Sequence, residues 1–171
     1  PAWGRHVRYD GLVRWLRRYR IHRRLYPLWR DLCRASPEVA LAPSAAAPLG
    51  DLWPFDLDFR LYRRVVEIRD AQLVLRPYLD ADTVAEANHR CRDAGLVAEE
   101  ADAAAEAACL GVAVRRRLTG APSHSRLETA VVPETHGLEG EVRAIERLAV
   151  LYGHSPVVRA VAAVSYTHLT L

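Results

Sequence analysis

Between Leu57 and Leu79 the chain repeats apolar residues at helical spacing: Leu61, Val65, Ile68, Leu75 and Leu79, interrupted by the polar Gln72. Tyr62, Val66 and Leu73 widen this stripe, while Arg60, Arg63, Arg64, Glu67, Asp70 and Arg76 fall mostly outside it. Arg63 and Glu67 stand four residues apart, where their charges can pair. Asp56 is expected to cap the helix, Asp58 to place negative charge in its first turn, and Pro77 to end or kink it. The pattern predicts that the body packs around this helix, with Val65 and Ile68 in the core against the fourth and fifth helices.

The other segments carry the same period. From Trp3 to Arg34, one stripe is Trp15, Tyr19, His22, Tyr26, Trp29 and Cys33, and Ile21, Leu25, Leu28 and Leu32 form a second beside it. Arg14, Arg17, Arg18, Arg24 and Arg30 are left for water or anionic groups, and Pro27 predicts a break near Tyr26. Residues 35–55 contain Pro37, Pro43, Pro48 and Pro54, too many for regular structure, although Val39, Leu41, Leu52, Trp53 and Phe55 offer points of contact with the body. Thr83 and Glu86 have capping-box spacing and predict the start of a third helix that Gly95 ends. A fourth, alanine-rich helix is predicted from Val97 to Leu118, with Ala101, Ala104, Ala105, Ala108 and Val112 on its packing face. It closes on Arg115, Arg116 and Arg117. Residues 121–138 read as a polar loop. A fifth helix follows over Glu139–Tyr152 and stops at Gly153, with a short restart from Ser155 and Pro156 through Val164. Strand alternation is missing, so the expected fold is all-α: an irregular bundle of about five main helices.

These patterns divide the chain into a basic amphipathic segment (1–34), a Pro-rich linker (35–55) and a helical body (56–164). The final Ser-Tyr-Thr-His-Leu-Thr-Leu (165–171) breaks from the Arg/Ala-rich text before it and resembles translated sequencing-adapter DNA, so it is left out of the fold expectation. Met is absent, and residue 1 is therefore expected to be an internal position of a longer protein. All 24 basic residues are arginines, a bias that points to GC-rich coding rather than to mechanism.

Charge changes the picture more than composition does. Residues 1–34 hold ten arginines against Asp10 and Asp31, a net +8, and the remainder carries −5. A basic arm on a mildly acidic body implies an anionic partner for the arm. Spacing alone leaves two readings of it open: a solvated helix whose apolar stripe packs on the body, or a segment lying along the cytoplasmic surface of a membrane. In the second reading Arg14, Trp15, Arg17, Arg18, Tyr19, Arg24 and Trp29 touch the anionic membrane surface, since arginine excess and interfacial aromatics are both expected there. Arginines interleaved with Trp and Tyr also suit nucleic acid, but they are confined to one arm with a large apolar stripe. Cys33, Cys91 and Cys109 show no paired spacing and indicate a reducing compartment. No run of about 18 uncharged apolar residues occurs to span a bilayer.

Candidate chemistry is thin. Glu86-x-x-His89 matches one element of a di-iron bundle, which needs a second copy that this chain lacks, so His89 reads as a surface or half-buried histidine. His89 and Cys91 diverge on a helix and make a poor zinc pair. Glu99, Asp102 and Glu106 share a face, but three acids near a helix start serve its dipole and solubility more readily than acid–base work. Ser123-His124-Ser125 lacks the flanking glycines of a nucleophile elbow, and no phosphate loop, dinucleotide fingerprint or metalloprotease motif occurs. The expectation is no catalytic residue, no cofactor and no metal.

Four segments together carry a family resemblance. They are Arg-Leu-Tyr-Pro-Leu-Trp-Arg-Asp-Leu (24–32), Ser-Pro-Glu-Val-Ala-Leu (36–41), Asp-Leu-Asp-Phe-Arg-Leu-Tyr-Arg-Arg-Val-Val-Glu-Ile-Arg-Asp (56–70) and Leu-Arg-Pro-Tyr-Leu (75–79). They resemble the C-terminal cytosolic domain, itself of unknown function, of actinobacterial multi-pass membrane proteins labelled as transporters. The resemblance spans most of residues 12–164. It implies a bundle of transmembrane helices upstream of residue 1, a place on the cytoplasmic face of the bacterial inner membrane, and a regulatory or partner-binding role toward an unidentified protein. It favours the membrane-surface reading of residues 12–34, with a soluble nucleic-acid-binding protein as the alternative. It transfers no catalytic residue, and the transporter label belongs to the missing part.

Overall fold

The computed structural model describes residues 3–40, 56–123, 137–156 and 158–160, with side chains from residue 11 onward. Five α-helices order them: α1 (Trp3–Ala35), α2 (Leu57–Leu75), α3 (Ala81–Asp93), α4 (Ala98–Leu118) and α5 (Gly137–His154). Short 3-10 turns follow α1 at Pro37–Val39 and α2 at Arg76–Tyr78. Residues 156 and 158–160 are also helical, and no strand occurs among the described residues. The all-α expectation therefore holds. Most of the Pro-rich linker (41–55), the loop at 124–136 and the terminal residues 161–171 lie outside the described residues.

The alanines of α4 explain why it occupies the centre. Ala104, Ala107, Ala108 and Ala113 are fully buried, and side chains this small let neighbouring backbones come close on several sides at once. α4 accordingly packs against α1, α2, α3 and α5. This corrects the sequence expectation that α2 is the hub. Val65 and Ile68 do lie in the core, and α2 does touch α4 and α5, but its most extensive partner is α1. Leu25, Leu28 and Leu32 of α1 are fully buried in the same core.

Within α2, Leu61, Val65, Ile68 and Leu75 are buried and Leu79 packs at the margin, whereas Tyr62 and Leu73 stand exposed. Gln72 breaks the stripe because it bridges helices: it accepts from Arg69 Nη1 at 2.9 Å and donates to Glu106 Oε1 at 2.8 Å. Pro77 falls in the 3-10 turn directly after the helix, as its missing donor requires.

The ends of the helices bring corrections. Asp56 precedes α2 but has φ 71° and makes no side-chain cap, because the left-handed backbone does not aim its carboxylate at the first-turn amides. Asp80, not Thr83, caps α3: its extended backbone lets the carboxylate accept from Thr83 N at 2.6 Å, while Glu86 pairs with Arg90 instead of reaching back. Gly95 follows α3 with φ 73°, a conformation that side chains disfavour. α5 runs through Gly153 to His154, and Ser155 Oγ then accepts from Val158 N at 3.3 Å to start the next turn.

Pro27 does not break α1. The helix is continuous from Trp3 to Ala35, and Pro27 lies exposed on its outer side. There the carbonyl deprived of its donor can be hydrated, and the helix can curve away from the ring without losing core contacts. The packing yields a paired prediction. Ile68→Asp buries an unpaired charge and should destabilise the protein by at least about 3 kcal/mol or unfold it. Leu73→Asp, on the exposed side of the same helix, should stay within about 0.5 kcal/mol of the parent in chemical denaturation.

Candidate functional site

The feature that could meet a partner is α1, whose residues 11–30 include seven arginines and no acid. Three sides of the helix have different fates. Ile21, Leu25, Leu28 and Leu32 enter the core. The aromatic stripe turns toward α2. The third side faces outward.

The aromatic side is held by two charged residues that the sequence pattern places mostly on the surface. Arg64 and Glu67 of α2 are only 6% and 3% exposed. Arg64 Nη1 donates to the carbonyl of His22 at 2.7 Å, and its guanidinium lies over Trp29 (4.7 Å to the ring centre) and Tyr26 (5.4 Å). Glu67 accepts from the Trp29 indole nitrogen at 2.6 Å and from Arg63 Nε at 3.0 Å, the second being the i,i+4 pair expected from spacing. A buried cation and a buried anion on adjacent turns satisfy each other's field, and each is also hydrogen-bonded, as burial of charge demands. Cys33 borders this cluster. Burial, and then the Glu67 carboxylate, push its thiol up to about 11 against the opposing pull of Arg64.

Several residues expected at an anionic surface are thus engaged within the fold. Trp29 packs on the core and bonds Glu67. Arg18 pairs with Asp58, and Arg24 with Glu146 at 2.7 Å. Tyr19 stacks on Trp15 with ring centres 5.3 Å apart, and the half-buried Trp15 has no acceptor for its indole nitrogen among the described residues. Arg14 and Arg17 stay exposed and, like the exposed Arg20 and Arg23, form no ion pair among the described residues. Beside them Leu12, Val13 and Leu16 are 53%, 64% and 38% exposed. Leu12, Val13, Leu16, Arg20 and Arg23 are therefore the outward residues that reading the aromatic stripe overlooks. A signal for them existed: at about 100° per residue they fall opposite the Ile21–Leu25–Leu28–Leu32 stripe.

A second buried cation ties α3 to α4. Arg116 Nη1 donates to Asp80 Oδ2 at 2.8 Å and to the Tyr78 carbonyl at 3.0 Å, and Nη2 donates to Thr83 Oγ1 at 3.1 Å. Arg117 beside it pairs with Glu38 and lies over Tyr78. Burial by itself would raise the Asp80 carboxyl, but the hydrogen bonds from Thr83 and Arg116 hold it below the ordinary carboxylate value.

The other candidate groups are occupied in ion pairs or stand apart. Glu86 pairs with Arg90, and His89 sits 3.3 Å from Asp93 on the exposed side of α3. Glu99 pairs with Arg147, and Glu106 with Arg69 at 3.6 Å, which leaves Asp102 exposed. Ser123 is exposed, and residues 124 and 125 lie outside the described residues. No group of three or more His, Cys, Asp or Glu among the described residues could hold a metal ion. Cys33, Cys91 and Cys109 are free thiols. Burial pushes Cys109 to about 11 and raises Cys91 as well. Tyr152 rises to about 12 through burial and the Asp31 carboxylate it bonds, opposed by Arg115 and Arg30.

Two open grooves mark the surface of the described residues. One, of about 430 Å³, runs beside Gly111, Val114, Leu118 and Val158; the other, of about 550 Å³, lies beside Arg24, Val97, Glu146 and Val150. The second is rimmed by the pairs Arg24–Glu146 and Arg147–Glu99. No helix among the described residues is long and apolar enough to cross a membrane.

Both buried cations can be tested. Glu67→Gln removes the buried carboxylate that holds Arg63 and the Trp29 indole and should cost about 2–4 kcal/mol in denaturant unfolding, while Leu73→Gln should cost little. Asp80 has a lowered folded value, so its contribution is whole above the ordinary 3.8 and is lost as pH falls through that lowered value. Asp80→Asn should therefore be about 2 kcal/mol less stable than the parent at pH 7, and the gap should close as the pH is taken well below 3.8.

No curated protein and no solved structure matches the chain. A family of unknown function, DUF6545, matches residues 14–155, from the basic half of α1 to the end of α5. With the match covering the greater part of α1, all of α2 to α5 and most of the chain, this protein belongs to the DUF6545 family.

Proposed function

We propose that this chain is a partner-binding domain of an actinobacterial membrane protein, the class labelled as transporters, and that it works at the cytoplasmic surface through α1 rather than by catalysis. The observation that carries the reading is the set of exposed arginines on α1 that form no ion pair among the described residues. Arg14, Arg17, Arg20 and Arg23 stand exposed within a stretch free of acids. In the body, by contrast, Arg69, Arg116 and Arg147 are matched across helices by Glu106 and Glu141, Asp80 and Glu99. Positive charge clustered on one helix concentrates an anionic partner there. The resemblance to cytosolic domains of multi-pass membrane proteins supports a membrane as that partner's setting. A regulatory role toward the upstream membrane helices, or toward another protein, follows from the same placement.

A soluble nucleic-acid-binding protein remains the second reading, because phosphates complement the same arginines. The two part on salt. Flotation with vesicles of anionic lipid should weaken as salt rises but persist, and neutral vesicles should retain some protein. Fluorescence anisotropy with an oligonucleotide should show weak binding at physiological salt. Tight oligonucleotide binding that falls steeply with salt, with no flotation on either vesicle, would sink the membrane reading and install the alternative.

A further inference from the structure

We infer that the outward side of α1, and not its aromatic stripe, is a docking surface for an anionic phospholipid bilayer, engaged while α1 stays packed on the body. This rests on the membrane reading above and adds which atoms meet the lipid. At about 100° per residue, Leu12, Leu16, Arg20 and Arg23 lie within a quarter-turn of one another, with Val13, Arg17 and Arg24 just beyond. Opposite them run Ile21, Leu25, Leu28 and Leu32, which are buried against the body. A bilayer can therefore approach one side of the helix without displacing the other.

The chemistry of that side suits lipid in two respects. Leu12, Val13 and Leu16 are well exposed, and the arginines around them form no ion pair among the described residues, apart from Arg24 with Glu146. Apolar side chains among cations suit the boundary where acyl chains meet anionic head groups: leucine and valine enter the hydrocarbon edge while arginine stems let the guanidinia reach the phosphates. A nucleic-acid strand would use the cations but needs exposed rings for stacking. The rings that border this side are already engaged: Tyr26 is 40% exposed but lies under the Arg64 guanidinium. Trp15 and Tyr19 stack on each other, and Trp29 is bonded to Glu67.

The aromatic stripe makes the competing geometry explicit. To put Trp15, Tyr19 and Trp29 in the membrane, α1 would have to turn or leave α2, breaking the Trp29–Glu67 and Arg64–His22 bonds and exposing a buried cation and anion. Docking by the outward side breaks none of them.

The test places a nitroxide at Leu16→Cys on α1, or at Phe59→Cys on the exposed side of α2, in the otherwise full chain. The native cysteines are half-buried or buried, so labelling at pH 7 goes to the introduced thiol. Each labelled protein is bound to vesicles of mixed zwitterionic and anionic phospholipid. The label's relaxation is then compared with lipid-soluble oxygen and with a water-soluble nickel complex. The label at 16 is expected to become more accessible to oxygen and less to nickel on binding, and the label at 59 to stay in water. Arg20→Gln with Arg23→Gln should weaken partitioning about 25-fold at low salt, at about fivefold per arginine. Leu12→Ser with Leu16→Ser should abolish the part of binding that survives high salt, with thermal unfolding unchanged in both variants. Vesicle binding with the label at 59 in lipid and that at 16 in water would overturn this inference and leave the membrane reading standing. A failure of the parent protein to bind either vesicle overturns both.

Discussion

Burial of Arg64 and Glu67 between α1 and α2 fixes the face that the rest of the molecule presents. Two opposite charges removed from water tolerate little rearrangement, since loss of either partner leaves the other uncompensated. Each is also tied to α1: Arg64 to the His22 carbonyl and the rings of Tyr26 and Trp29, Glu67 to the Trp29 indole. These bonds set the rotation of α1 about its own axis. Once that rotation is set, Leu25, Leu28 and Leu32 must point into the core, and Leu12, Leu16, Arg20 and Arg23 must point away.

The same contacts set direction. Arg18 meets Asp58, His22 meets Arg64 and Trp29 meets Glu67, so α1 and α2 run the same way. α3 and α4 are joined by a short turn through Gly95, and Arg116 closes that hairpin from the end of α4 onto Asp80 and Thr83 at the start of α3. Buried arginines thus serve as fasteners at two different interfaces. Arginine suits this work because its fork reaches several acceptors at once, as Arg116 does with Asp80, Tyr78 and Thr83.

Between these fasteners the core is built mostly from small and branched aliphatic side chains. The alanine side of α4 brings four helices against it, and larger residues from those helices, Leu28, Ile68, Leu75, Ile145 and Leu148, fill the space that the alanines leave. Function on this scaffold resides in what the core does not need. Glu99, Glu106, Glu141 and Glu146 of α4 and α5 pair across helices with Arg147, Arg69 and Arg24, whereas Arg20 and Arg23 on the outward side of α1 form no ion pair among the described residues.

Much of the fold was already legible in the residues. The helical period, the stop at Gly95, the alanine side of α4 and the Arg63–Glu67 pair are local properties, set by side-chain size and by spacing along one chain. The charge imbalance of residues 1–34 is likewise written in the sequence, and with it the expectation of an anionic partner. Tertiary structure decided the rest, because the rest depends on which surfaces meet. Whether Pro27 interrupts α1 depends on its lying outside, where water can serve the freed carbonyl. Whether Asp80 or Thr83 caps α3 depends on an extended backbone at 80 and on Arg116 reaching across from α4. Above all, a helix with two apolar stripes and many arginines does not announce which side goes in. The aromatic stripe is the richer in interfacial residues, yet only the partner helix, with a cation for its rings and a carboxylate for its indole, could turn that stripe inward and leave leucine and arginine outside.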